Sequence, residues 1–100
     1  MSYYGLCGKF VSQPGKRDQL VTVLLNAARL LQENRDCINY IIGTTDEAND
    51  VWVFETWTSK RAHDSSLEPE DIKALVRSAI PLIVGSSNSV EWKVVGGKGL

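Results

Sequence analysis

Apolar positions along this chain alternate between a period near two and a period near 3.6, and the switches mark its elements. Tyr3 to Ser12 (YYGLCGKFVS) has aromatic and branched residues without a helical stripe, and Gln13-Pro14-Gly15 closes it, which predicts a strand and a turn. From Lys16 to Asn34, Leu20, Val23, Leu24, Ala27 and Leu31 recur at one helical face, with Arg17, Asp18, Arg29 and Glu33 between them. Cys37 to Thr45 (CINYIIGTT) and Val51 to Trp57 (VWVFETW) flank the polar loop Asp46 to Asp50, so the two should pair as an antiparallel hairpin. Ser59 is placed to cap a short helix running through His63 to Leu67. Pro69 suits the first position of a second helix, in which Ile72, Leu75, Val76, Ala79 and Ile80 share a face and which Pro81 should end. A loop over Gly85-Ser86-Ser87-Asn88 leads into the last strand, Ser89 to Val95, and the tail GGKGL should fray.

The order β-α-β-β-α-β predicts an α+β fold, the ferredoxin-like sandwich. Its four-stranded antiparallel sheet has the first and third strands at the centre and the helices on one face. Parity then raises a difficulty. Val51, Val53, Glu55 and Trp57 share one face of their strand, yet Trp52 and Phe54 on the other face are also apolar. Ile41 opposes Ile38, Tyr40 and Ile42 in the same way, and Val90, Trp92 and Val94 oppose Glu91, Lys93 and Val95. A sheet wet on one side alternates more cleanly. The second apolar face therefore calls for a cover, and the same face of a second copy supplies one, giving a homodimer.

Composition narrows the classes. One hundred residues make a single domain, with a core over about residues 3 to 95. Eleven basic against twelve acidic residues leave a net charge of −1 and no basic stripe, which argues against nucleic acid and anionic membrane as partners. No apolar run reaches bilayer length, so the chain is expected in the cytoplasm. Cys7 and Cys37 lack CxxC spacing and read as reduced, half-buried thiols. The third strand should lie between them, two strand spacings (about 9–10 Å) being too far for a disulfide. One His and two distant Cys form no recognisable metal set.

The pieces DCINYIIG, VWVFETW, WTSKRAHDSSL and PEDIKALVRSAIPLIVG, with GKFVSQPGKRDQL before them, resemble the antibiotic biosynthesis monooxygenase (ABM) domain, a dimeric α/β barrel, over nearly the whole chain. The E-x-W followed shortly by A-H carries most of that likeness. The resemblance implies a homodimer and a pocket between sheet and helices. It further implies oxidation of a small aromatic quinol or phenol by dioxygen, with no metal, flavin or other cofactor. Haem-degrading relatives use an Asn on the first strand; YYGLCGKFVS has none, which points away from that activity.

Such chemistry needs a base for the substrate hydroxyl, a donor for the developing anion and a dry pocket. His63, the only histidine, is the candidate base, since imidazole ordinarily titrates near neutrality. Trp57 is the candidate aromatic wall, or else a core tryptophan whose indole N–H meets a backbone carbonyl. Glu55 shares its strand face and is expected to find a Lys or Arg partner, or failing that to titrate unusually. Tyr40 should sit half-packed with its hydroxyl at a rim. Asn39 faces the other way, as a ligand contact or an exposed strand residue, so that at most one of the pair enters a given pocket. Arg61 and Lys60 read as solvated, with Arg61 within reach of an anionic substrate. A non-catalytic ligand-binding or stress-response module, and an isomerase or decarboxylase, remain alternatives on the same scaffold.

Overall fold

The computed structural model describes residues 2–85 and 88–100, so Ser86 and Ser87 of the expected loop lie outside the described residues. Strands β1 (Tyr3–Val11), β2 (Cys37–Thr44), β3 (Asp50–Trp57) and β4 (Asn88–Val94) form one antiparallel sheet in the order β2-β3-β1-β4. Helices α1 (Arg17–Leu30), α2 (Lys60–Ser65) and α3 (Glu70–Ala79) fall where the periodicity places them. This is the ferredoxin-like arrangement, with β1 and β3 central and β3 lying between the free thiols Cys7 and Cys37.

The apolar stripe of α1 meets the inward face of β3. Leu20, Leu24, Val51, Val53 and Ala79 form the buried centre, with Phe10, Tyr40, Ile42 and Ile83 packed around it. Leu20 and Val51 are wholly buried. The parity reading holds on the opposite face too. Ile41, Trp52, Phe54, Val90 and Trp92 all stay exposed there, and Phe54 meets Trp92 edge-on, ring centroids 5.8 Å apart. Gly5 lets Trp92 lie flat on β1, because a Cβ at that position would come within 2.6 Å of the indole nitrogen.

Some helix boundaries differ from the sequence expectation. The first helix stops at Leu30 and tightens into a 3₁₀ turn over Leu31–Glu33, a common way to satisfy the last carbonyls of a helix. Pro69 is the residue before α3 rather than its first, with an extended ψ of 143°; lacking an N–H, it loses nothing at either place. Pro81 does end the helix, again through a 3₁₀ turn over Ile80–Leu82. Beyond it Ile83 bridges to Ser12, which ties the end of α3 to the end of β1.

Ser59 caps α2 as its position predicts, its Oγ accepting from Ala62 N–H at 3.1 Å. An isolated helix of 6 residues has little stability of its own. Ser59→Ala should therefore cost about 1 kcal/mol, read as a lower urea midpoint, with faster amide exchange confined to α2. Unchanged exchange there would mean that packing alone holds the helix.

Candidate active site

Strand pairing brings the chemistry to one end of the sheet. Glu55 and Trp57, two residues apart on β3, share the inward face. Tyr40 on β2 pairs with Glu55, and Tyr4 on β1 pairs with Trp57. The capped helix α2 sets His63 over this corner. Its ring lies 5.5 Å from both the Trp57 and Tyr4 rings, edge-on to the indole.

His63 is nearly buried, its side chain 14% exposed, and both ring nitrogens face carboxylates. Nδ1 lies 2.9 Å from Asp64 Oδ1, and Nε2 lies 3.8 Å from Glu55 Oε1. The bond with His63 holds the Asp64 carboxyl below its ordinary value, which suits an acceptor facing Nδ1. Nε2 is the ring nitrogen turned toward Glu55. The Tyr4 hydroxyl donates to Glu91 Oε2 at 2.7 Å, where Lys60 also binds at 3.1 Å. Burial, then the Glu91 contact, pushes the Tyr4 phenol upward, so it stays a donor.

Glu55 follows the second of its two expected courses. Among the described residues no Lys or Arg pairs with it; Trp57 Nε1 donates to its Oε1 at 2.9 Å, and His63 Nε2 lies 3.8 Å from the same oxygen. The indole thus meets a carboxylate and not a backbone carbonyl. Burial raises the Glu55 pKa, opposed by the Trp57 hydrogen bond and by His63. A carboxyl raised on folding contributes stability fully below its unfolded value near 4.5, and that contribution fades as pH rises through the higher folded value. Glu55→Gln keeps an acceptor for Trp57 and removes the titration. The melting temperature of the variant minus that of the wild type should therefore increase as pH rises from below 4.5 toward neutrality, as scanning calorimetry would show. A difference constant over that range would mean that Glu55 titrates normally.

Burial followed by the charge of Glu55 also raises the neighbouring Tyr40 phenol, and the same two causes raise the Cys37 thiol to about 11. Neither group serves as a base near neutral pH.

Glu55, Trp57, His63 and Tyr40 all line one cavity of about 290 Å³ between the sheet and the helices. Its remaining wall is mostly hydrocarbon from β1, α1 and α3, including Phe10, Val23, Ala27 and Ile83. A larger space of about 590 Å³ beside α2 is a wide cleft lined by Glu33, Asp36, Asp71 and Arg61. It offers no aromatic wall and cannot dry a substrate, so the smaller cavity is the better site.

Arg61 is exposed in that cleft and does not join His63. Asn39 lies at a third cavity of about 110 Å³ under the edge of β2, its Oδ1 buried without a hydrogen-bond partner among the described residues. Tyr40 touches this small cavity as well, contrary to strict alternation, because a bulge between Cys37 and Asn39 shifts the pairing.

The model of the family "Antibiotic biosynthesis monooxygenase" matches residues 5–78. The chain belongs to the antibiotic biosynthesis monooxygenase family. A Chloroflexus aurantiacus J-10-fl protein, provisionally described as a member of that family, shares 29% identity over 95% of each chain with a TM-score of 0.86. One from Caulobacter crescentus CB15 shares 21% identity over 95% of this chain and 92% of its own, TM-score 0.87. A variant of SnoaB, a cofactor-independent oxygenase from Streptomyces nogalater, has the same fold at 12% identity over 96% of each chain, TM-score 0.80. No curated protein matches the chain in sequence.

The roles of two contributors to this site escape a reading of the sequence. Asp64 was legible as the neighbour of His63, but its bond to Nδ1 depends on the rotamer. Tyr4 needed the β1–β3 register to come beside Trp57. Among the described residues no group of three His, Cys, Asp or Glu is placed to hold a metal, and no helix is long and apolar enough to cross a membrane.

Proposed function

We propose that this protein is a monooxygenase that oxidises a small aromatic phenol or quinol with dioxygen, the substrate itself supplying the electrons. One observation carries the reading: an imidazole nitrogen, His63 Nε2, and a buried carboxyl, Glu55, stand at the wall of an otherwise apolar cavity backed by Trp57. Imidazole takes the phenolic proton, and the electron-rich phenolate can then reduce dioxygen and bond to it at a ring carbon, as a peroxide. The imidazolium protonates the peroxide. His63 next removes the proton from that ring carbon as the O–O bond breaks, and returns it to the departing hydroxide. One oxygen atom becomes a quinone carbonyl and the other leaves as water, so phenol plus dioxygen balances quinone plus water. The dry cavity keeps water from quenching the anion and its partners.

The test is oxygen uptake by the purified protein over a panel of phenols and quinols, with and without chelator. Uptake that survives the chelator and yields one quinone per dioxygen is expected. Uptake abolished by the chelator would overturn the metal-free chemistry, and none on any substrate would favour a non-catalytic ligand-binding module.

The working unit is a homodimer closed through the outer sheet face, where Ile41, Trp52, Phe54, Val90 and Trp92 are 37–65% exposed. Burying that patch against its own copy removes exposed apolar surface from water. Val90, at 65% exposed, can carry a charge without disturbing the core. Val90→Asp should therefore sediment as a folded monomer where the wild type sediments as a dimer, and a monomeric wild type would end the sheet-to-sheet reading. The protein works in the cytoplasm, where Cys7 and Cys37, separated by β3, persist as free thiols.

A further inference from the structure

The polar groups of the cavity stand at one end of it. Across the β1–β3 ladder Glu55 pairs with Leu6, and Val51 pairs with Phe10. Those positions are four residues apart along β1, roughly 13 Å at the rise of a strand. Tyr40, Trp57 and His63 gather at the Glu55 end. At the Phe10 end the cavity wall is Phe10, Ala79, Ile80 and Ile83, all hydrocarbon, held there by the bridge between Ile83 and Ser12.

This hydrocarbon wall does not close over the cavity. Leu67, Val76 and Ile80 line it and yet are 46%, 46% and 63% exposed, so they form an apolar rim that continues onto the surface. The proposed dimer contact uses the other face of the sheet and leaves this rim open.

We infer that the ligand is a phenol with a single polar end: its hydroxyl meets His63 and Glu55, and its far side carries an alkyl chain. The chain runs past Phe10 and Ile83 and leaves over Val76 and Ile80. This rests on the oxygenase site proposed above and chooses between its two substrate classes. A 1,4-hydroquinone would bury its second hydroxyl against hydrocarbon, where a polar group without a partner costs free energy. A bare single ring would also leave much of the cavity length unfilled.

The experiment is calorimetric titration of the wild-type protein, under nitrogen, with 4-alkylphenols from methyl to heptyl and with hydroquinone. Under nitrogen these phenols cannot turn over and serve as binding probes. Affinity should rise by about fourfold per methylene while the chain is being buried, and hydroquinone should bind more weakly than 4-methylphenol. Val76→Ser and Ile80→Ser, both at exposed positions, should weaken 4-heptylphenol several-fold and leave 4-methylphenol unchanged. Affinity independent of chain length, or hydroquinone binding as well as 4-methylphenol, would overturn the inference. Rim variants that weaken every ligand equally would overturn the exit path. Binding needs no oxygen, so the two readings fail separately. A full chain-length dependence with no oxygen uptake leaves the ligand class standing and removes the oxygenase; uptake on hydroquinones alone does the reverse.

Discussion

Replacing His63 with alanine is expected to lower oxygen uptake by about 10²-fold or more, the scale of a lost, positioned base. The size of the effect follows from how few substitutes the site holds. Tyr4, Tyr40 and Cys37 are all pushed away from neutrality by burial and nearby carboxylates. Glu55, the one other group against the cavity that could accept a proton, lies 3.8 Å beyond Nε2 and is already biased toward its neutral form. The variant should fold, because the side chain it shortens belongs to a surface helix that Ser59 still caps. It does lose two ring contacts, to Tyr4 and Trp57, so circular dichroism should accompany the assay. Asp64→Asn offers a milder comparison. An amide can accept at Nδ1–H without a full charge, so turnover should fall less than in His63→Ala. Uptake that is unchanged in His63→Ala would leave an oxygenase but assign its base elsewhere.

The elements that could be read from the sequence are those in which one physical term dominates. The stripe Leu20, Val23, Leu24, Ala27 and the alternation Val51, Val53, Glu55, Trp57 each report burial on one face, and the structure keeps both. The Ser59 cap is equally local, needing only a hydroxyl three residues before a free N–H. Partners set by side-chain rotamer or strand register were not legible. Glu55 was expected beside a cation because burying a lone carboxylate is costly; the fold instead gives it the Trp57 N–H on its own strand and lets its pKa rise. Tyr4 reaches His63 through strand register, which no local pattern encodes. Asn39, read as a polar group inside a strand, and Arg61, read as within reach of an anionic substrate, lie at cavities apart from His63.

Trp57→Ala should be the most destabilising single change in the chain, at about 3–5 kcal/mol. Trp57 is the largest fully buried side chain, 1% exposed, and it packs at the junction of β3, β1 and α2. Truncation would remove its apolar contacts and also the hydrogen bond it donates to Glu55, leaving a buried carboxyl short of a donor. Against a total stability of about 5–15 kcal/mol for a domain, such a loss is enough to unfold much of the protein near 37 °C. Trp57→Phe separates the two contributions. It retains most of the ring volume and loses only the N–H, so it should cost about 1–3 kcal/mol. With one donor fewer, the Glu55 pKa should rise further, because the Trp57 bond now lowers it. Urea midpoints give the stabilities, and the pH dependence of the midpoint reports Glu55. If Trp57→Phe proved as costly as Trp57→Ala, the hydrogen bond and not the packed ring would be what Trp57 contributes. The proton state of Glu55, and with it the base beside it, would then depend on a single indole N–H.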